Sequence, residues 1–245
     1  MRLTVLGGTG AFPGPGQACS GYLVEHEGFR LLVDPGYATL PRLLERAPAG
    51  EVDAVFVTHG HPDHCVDLNP LLRARAMGGE SLPPLPLYSL PGALDAVLAL
   101  DRPQMLAGTY EWHTFDAGGE SEIGPFGVET RALPHSLPSV GVRLRAGDRV
   151  LAYTGDSAPS PEVVALARDA DLLLAEATYV HEVPENLRDV LSSARDAGRE
   201  AAQAGVGRLL LTHLRPGTDP AAAIAAAAAE HGGEIGVATV GDTLL

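Results

Sequence analysis

Short apolar runs, broken by glycine and proline, recur along the whole chain. Those at residues 3–6 and 54–57 (Ala54-Val55-Phe56-Val57) fit buried strands. Residues 20–26 and 29–33 fit a hairpin turning at Glu27-Gly28. Residues 82–88 form an extended stretch with prolines at its entrance. Further strand-like stretches at 111–114, 122–123 and 126–133 are separated by glycine turns. Residues 141–145 and 149–154 predict a second hairpin across Gly147-Asp148, and 172–175 and 208–211 two more buried strands. Helices are expected at 37–47, 66–77, 92–100, 162–168, 193–204 and 220–231, the alanines of the last reflecting helix propensity. Two mixed β/α halves emerge, with no internal repeat and no linker between them. One domain over residues 1–245 is therefore expected.

Composition narrows this picture. With 245 residues, 45% hydrophobic and 20% charged, the chain has ample material for a core. No run approaches the roughly 18 apolar residues that a membrane helix needs, and the first strand begins almost at Met1, leaving no room for a leader. A cytoplasmic protein without membrane contact is expected. Cys19 and Cys65 make no disulfide framework, and buried free thiols are the expectation. The net charge is −14, and all 17 basic residues are arginine. A lysine nucleophile is thereby excluded, and a broad nucleic-acid surface is disfavoured, because such surfaces bind mainly through phosphates. A small phosphate ester stays compatible, since bound cations dominate the potential inside a pocket.

The chemistry concentrates in Thr58-His59-Gly60-His61-Pro62-Asp63-His64, directly after the strand at 54–57. Imidazole and carboxylate are donors that zinc accepts. His59 and His61, two apart in extended chain, share a face. Pro62 suits the first turn of a helix that would hold Asp63 and His64 beside them. So short a loop cannot easily wrap all four around one ion, which favours two adjacent metals. Three further candidates follow apolar strands: His135 in Leu133-Pro134-His135-Ser136, Asp156 in Thr154-Gly155-Asp156-Ser157 and His213 in Leu211-Thr212-His213-Leu214. Strand ends are where α/β folds collect their sites. His26, His113, His181 and His231 are expected on turns or helix surfaces, in solvent. The glycine-rich loop Gly7-Gly8-Thr9-Gly10 through Gly14-Pro15-Gly16 lacks the Gly-Lys-Ser/Thr ending of a phosphate cradle. A flexible loop rimming a pocket is the favoured reading.

His59-x-His61-x-Asp63-His64 resembles the signature of the metallo-β-lactamase superfamily. From Leu3 to the C-terminus the chain looks like the ribonuclease Z-like phosphodiesterase branch, and within it bacterial cyclic-nucleotide phosphodiesterases. The resemblance implies an αββα sandwich of two mixed sheets flanked by helices. It implies that His59, His61 and His135 hold one divalent metal, that Asp63, His64 and His213 hold the other, and that Asp156 bridges them. Zinc is the expected metal, with manganese the alternative. Asp34, closing the strand 29–33, matches an aspartate that supports the metal site, a turn cap being the plainer reading. Asp63 would orient or deprotonate the water that two metals activate.

The surroundings of the third histidine choose among substrates. Lactonases, glyoxalases and β-lactamases resemble one another in a Pro-Gly-His-Thr-Pro-Gly-like hairpin. This chain instead has Leu133-Pro134-His135-Ser136, Gly141-Val142-Arg143 and Thr154-Gly155-Asp156-Ser157, which look like the phosphodiesterase branch. Transfer-RNA processing members carry a long arm between the third histidine and the bridging aspartate. Here 20 residues separate His135 from Asp156, enough for a hairpin only. Where ribonuclease Z-like enzymes place a proton-donating histidine, Leu191 stands. Glu176, in Ala175-Glu176-Ala177-Thr178, matches the glutamate beside that histidine and is the second candidate catalytic residue. Arg143 or Arg145 could neutralise a phosphate or be surface strand residues. The expected activity is hydrolysis of a small or cyclic phosphodiester by a metal-activated hydroxide, in a protein that pairs as a homodimer and does not take nucleic acid. The alternatives are ribonuclease Z-like RNA processing, lactone or thioester hydrolysis, and a non-catalytic metal- or nucleotide-binding protein.

Overall fold

Fourteen strands make up two facing sheets in the computed structural model, which describes every residue except Glu80, Pro103, Asp242 and Leu245. The first half supplies β1 (Arg2–Gly7), β2 (Gly21–His26), β3 (Phe29–Val33), β4 (Ala54–Val57), β5 (Leu85–Ser89) and β6 (Tyr110–Thr114). The second supplies β7 (Glu120–Ile123), β8 (Phe126–Leu133), β9 (Ser139–Ala146), β10 (Arg149–Tyr153), β11 (Leu172–Glu176), β12 (Arg208–Thr212), β13 (Glu234–Val237) and β14 (Thr243–Leu244). One sheet runs β14-β1-β2-β3-β4-β5-β6 and the other β13-β12-β11-β10-β9-β8-β7. Each is mixed: β1 to β3 and β7 to β10 pair antiparallel, while β3 to β6 and β10 to β13 pair parallel.

The apolar runs bury both faces of the strands. Side chains alternate across a strand, so Leu31 and Val33 of β3 meet the opposite sheet while Leu32 meets helices. In β11, Leu172 and Leu174 point inward, Leu173 and Ala175 outward. Helices α1 (Thr39–Leu44), α2 (Pro62–Cys65), α3 (Leu68–Met77) and α4 (Asp95–Leu98) belong to the first half. Helices α5 (Pro161–Ala167), α6 (Ala194–Ala204) and α7 (Pro220–Ala228) cover the other sheet. The layers are therefore αββα, as the resemblance implied. On α6, Ala194, Ala197, Gly198, Ala201 and Ala204 are all buried. A Cβ at Gly198 would collide with the backbone of Ala227, so glycine there sets how closely α6 and α7 approach.

Several elements are shorter than their sequence windows. Helix 37–47 contracts to α1, with Pro41 confined to the first turn, where its missing N–H costs nothing. The window 66–77 begins late, because α2 starts at Pro62 and the chain re-forms a helix at Leu68. Helix 92–100 contracts to α4, and 220–231 ends at Ala228. Strands β13 and β14 had no apolar signal. Both are outer strands whose pairing with β12 and β1 fixes them. No helix among the described residues is long and apolar enough to cross a membrane.

Candidate metal centre

The centre lies where the carboxyl ends of β3, β4, β10 and β12 meet across the two sheets. Tyr153 at the end of β10 donates its hydroxyl to Asp34 beyond β3 at 2.9 Å, and Val140 N–H bonds the Thr58 carbonyl at 3.3 Å. After β4 the chain turns through Gly60 into α2, whose first residue is Pro62. That turn brings His59, His61, Asp63 and His64 to one place. The ends of β8, β10 and β12 add His135, Asp156 and His213.

These seven residues form two groups sharing Asp156. In the first, His61 Nδ1 lies 3.0 Å from His59 Nε2 and 3.1 Å from His135 Nε2. Asp156 Oδ2 lies 3.9 Å from both Nε2 atoms. In the second, His213 Nε2 is 3.2 Å from Asp63 Oδ2 and 3.2 Å from Asp156 Oδ2, while His64 Nε2 is 3.1 Å from Asp156 Oδ1. Within each group the atoms lie within 4.8 Å of one another. All seven residues singled out in the sequence are thus brought together.

Four imidazoles are oriented from behind. His64 donates Nδ1–H to Asp34 at 2.8 Å, and His135 donates Nδ1–H to the Val190 carbonyl at 2.7 Å. Thr58 Oγ1 gives its proton to Asp34 and can therefore only accept from His59 Nδ1, at 3.1 Å. Thr178 Oγ1 gives its proton to Glu176 and likewise accepts from His213 Nδ1, at 2.8 Å. In each case the second nitrogen, Nε2, faces the centre, where the neutral ring would offer it to a metal. Asp34 accepts from Thr58 N–H, Thr58 Oγ1, His64 and Tyr153, and holds the left-handed φ of 49°. His213 is also left-handed, at 58°. Such strain persists where the surroundings over-determine it.

Electrostatics agree with a cation-binding role. Burial holds His59 and His61 below the usual imidazole range, favouring the neutral form that ligates, whereas for His64 and His213 the nearby carboxylates outweigh burial and raise both. Burial would also raise Asp63 and Asp156, but the surrounding histidines outweigh it and hold both carboxyls well below their usual range. His64 Nε2 and Asp156 Oδ1 are buried without a hydrogen-bond partner. An unpaired buried acceptor is costly. Five imidazoles and two carboxylates converging with such orphaned atoms fit a pair of divalent cations.

The loop after β1 belongs to the centre more closely than a flexible rim would. Ala11 donates its N–H to Asp63 Oδ2 at 2.8 Å, and a Cβ at Gly10 would collide with the His213 ring. Glu176 stands behind the centre. It is buried, accepts from Ser157 N–H, Thr178 Oγ1 and Ser192 N–H, and is raised to about 8 by burial and by nearby Asp156. It therefore reaches His213 only through Thr178.

Other readings were left open or need correction. Arg143 donates to the carbonyls of Leu166 and Arg168 in the helical layer. Arg145 is two residues along the same strand and so shares its outward face. Neither reaches the centre, because the inward positions of β9 belong to Val142 and Leu144. His231 is buried, not solvated. His26 and His113 are half-buried and His181 is exposed. Cys65 packs among the apolar side chains under the first sheet, with its thiol donating to the His61 carbonyl at 3.3 Å. Sequence reasoning missed Thr58, Thr178 and Val190. The two threonines lie beside or two residues from an acid or histidine already singled out, but Val190 acts through its backbone and leaves no sequence signal.

Comparison with known proteins places this geometry. A model for the family described as "Beta-lactamase superfamily domain" matches residues 29–214. The probable metallo-hydrolase YhfI of Bacillus subtilis is 33% identical over 221 residues, covering 87% of this chain and 87% of that protein. The crystal structure of YhfI superposes with a TM-score of 0.90, at 29% identity, covering 99% of this chain and 98% of that one. A ribonuclease Z of Myxococcus xanthus is 29% identical over 300 residues, covering 100% of this chain and 97% of that protein. Human tRNase Z, short form, shares the fold at a TM-score of 0.80 and 22% identity, covering 100% and 99% of the two chains.

Proposed function

The chain belongs to the β-lactamase superfamily and is a metal-dependent hydrolase, and from that premise we propose that it cleaves a small or cyclic phosphodiester. Residues 1–245 act as one domain, in the cytoplasm. His59, His61 and His135 hold one divalent cation, Asp63, His64 and His213 a second, and Asp156 both. Zinc suits the imidazole-rich donor set, with manganese the alternative. When bound, such a pair polarises phosphoryl oxygens and makes water nucleophilic at neutral pH.

The protein's own residues do the remaining work. Asp34, Thr58, Thr178 and the Val190 carbonyl fix four rings in the ligating tautomer. Asp63, tethered by Ala11 N–H, keeps an ionised carboxylate beside His213 and His64, where it can orient the attacking water. Glu176 acts as a positioning group for His213.

The observation that carries the substrate class is the connection from His135 to Asp156. It is filled by the hairpin of β9 and β10 and leaves no length for an RNA-gripping arm. With a net charge of −14, this supports a small substrate. The ribonuclease Z relatives keep RNA as the competing substrate. Metal-loaded protein should be assayed with cyclic nucleotides, bis(p-nitrophenyl) phosphate, a lactone, a β-lactam and a precursor transfer RNA. Turnover of the first two is expected. Efficient trimming of the precursor at its 3′ trailer would replace this reading with RNA processing.

A further inference from the structure

A cavity of about 350 Å³ lies in the second half of the chain, between the loop that follows β11 and the start of α6. Its lining gathers Arg188, Arg195 and Arg199, with His181 beside them. Leu191 also lines it, one residue from the Val190 carbonyl that holds His135. None of the seven candidate metal ligands does, so the cavity is separate from the centre. Three arginines stand there against two acids, Glu182 and Asp196, in a chain whose net charge is −14. A positive spot on such a background draws small anions to one place.

Each guanidinium is anchored at one nitrogen and keeps its other donors. Arg188 uses Nε alone, on the Val183 carbonyl at 3.4 Å. Arg195 pairs through Nε with Glu230 at 3.2 Å, a residue outside the cavity. Arg199 gives one nitrogen to Asp196 Oδ1 at 2.9 Å. The other oxygen of Asp196 is taken by Ser193, whose N–H and hydroxyl close the cap of α6. Among the described residues, the terminal N–H groups of Arg188 and Arg195 meet no protein acceptor.

The walls are set before a ligand arrives. Ala194 N–H bonds the Tyr179 carbonyl at 2.7 Å and Arg195 N–H the Val180 carbonyl at 3.3 Å, which ties the approach to His181 onto α6. Val190 and Leu191 both give their N–H to the Leu187 carbonyl at 3.1 Å. A preformed site loses little freedom on binding.

We propose that this cavity is a second ligand site, which takes a small phosphomonoester through Arg188, Arg195 and Arg199. A guanidinium fork matches phosphate oxygens in pairs. Three forks from two segments suit a tetrahedral group better than a flat carboxylate. His181 supplies a further N–H, and the volume leaves room for a sugar-sized group beyond the phosphate. The site stands whether or not the centre cleaves phosphodiesters.

Calorimetry on metal-loaded, full-length protein tests it, with ribose 5-phosphate as the probe and ribose as its uncharged counterpart. The phosphate should bind and ribose should not, with an affinity that falls as salt rises. Arg188→Glu and Arg195→Glu should each weaken that binding roughly tenfold or more. Arg149→Glu, an equal loss of charge on an exposed strand residue outside the cavity, should leave it unchanged. Circular dichroism and metal content, matched to the unaltered protein, show that fold and centre are intact in each variant. Equal weakening by all three substitutions would reduce the effect to net charge and overturn the proposal. Phosphate binding that both cavity variants keep, and that is lost when the metals are removed, would place all of it at the centre and overturn it too.

Discussion

The carbonyl of Val190 accepts the Nδ1–H of His135 at 2.7 Å, so the segment before α6 and the third histidine of the centre are held as one unit. Leu191 therefore stands one residue from a backbone group that orients a candidate ligand, at the place where the resemblance implies a proton donor. Leu191→His should accelerate hydrolysis of diesters with poor alkoxide leaving groups by about tenfold, and hardly change p-nitrophenyl esters, whose leaving group needs no proton. Initial rates on both classes decide the matter. Equal effects would show that position 191 does not face the leaving group.

Thr178 links Glu176 to His213 by hydrogen bonds of 2.6 and 2.8 Å. Thr178→Val keeps the shape and removes the relay. Metal affinity should fall about 10- to 100-fold, the usual cost of losing a partner behind a ligating histidine. Chelator competition measures this, while circular dichroism should report an unchanged fold. Undiminished affinity would mean that His213 needs no support from behind.

Asp63→Ala removes a carboxylate that sits between His64 and His213 and is tethered by Ala11. Turnover should fall by orders of magnitude with the fold intact, because the lost group acts as the reaction proceeds. Metal content must be followed beside the rate. A variant that retains both metals and full turnover would remove Asp63 from the chemistry.

Away from the centre, Glu200 on α6 is buried, accepts Ser160 N–H at 2.8 Å, and is raised to about 8, chiefly by burial. Because its folded value lies above the usual one near 4.5, the folded state binds the extra proton. Its stabilising contribution is complete below about pH 4.5 and is lost as pH rises through about 8. Glu200→Gln should flatten the fall in stability between those limits, by an amount on the order of 1–4 kcal/mol. Urea melts at pH 5 and pH 8 test this. Parallel pH profiles for the two proteins would show that this carboxyl titrates alike in the folded and unfolded states.

The sequence made the two-sided burial legible, because runs such as Leu172-Leu173-Leu174-Ala175 admit no solvent face in a sheet. It also located the seven converging residues, since each follows an apolar run or lies in the His59–His64 cluster. Helix lengths were read too long around Pro41 and Gly92, where propensity continued past the point at which packing ended. Arg143 was left open between two readings, because alternation assigns a face but does not say which face looks toward the centre. Val190 and Ala11 could not be found, since a backbone carbonyl or N–H carries no residue-type signature. The glycine-rich loop after β1 was read as flexible because the residues that tie it down, Asp63 to Ala11 and His213 to Gly10, lie 52 and 203 positions away.

The central claim is that Asp156 joins two cation sites in one centre, and metal content measures it most directly. Protein reconstituted with zinc or manganese and freed of loose metal should contain two equivalents per chain, and Asp156→Ala clearly fewer. A reproducible single equivalent in the unaltered protein, with no gain on reconstitution, would contradict the account.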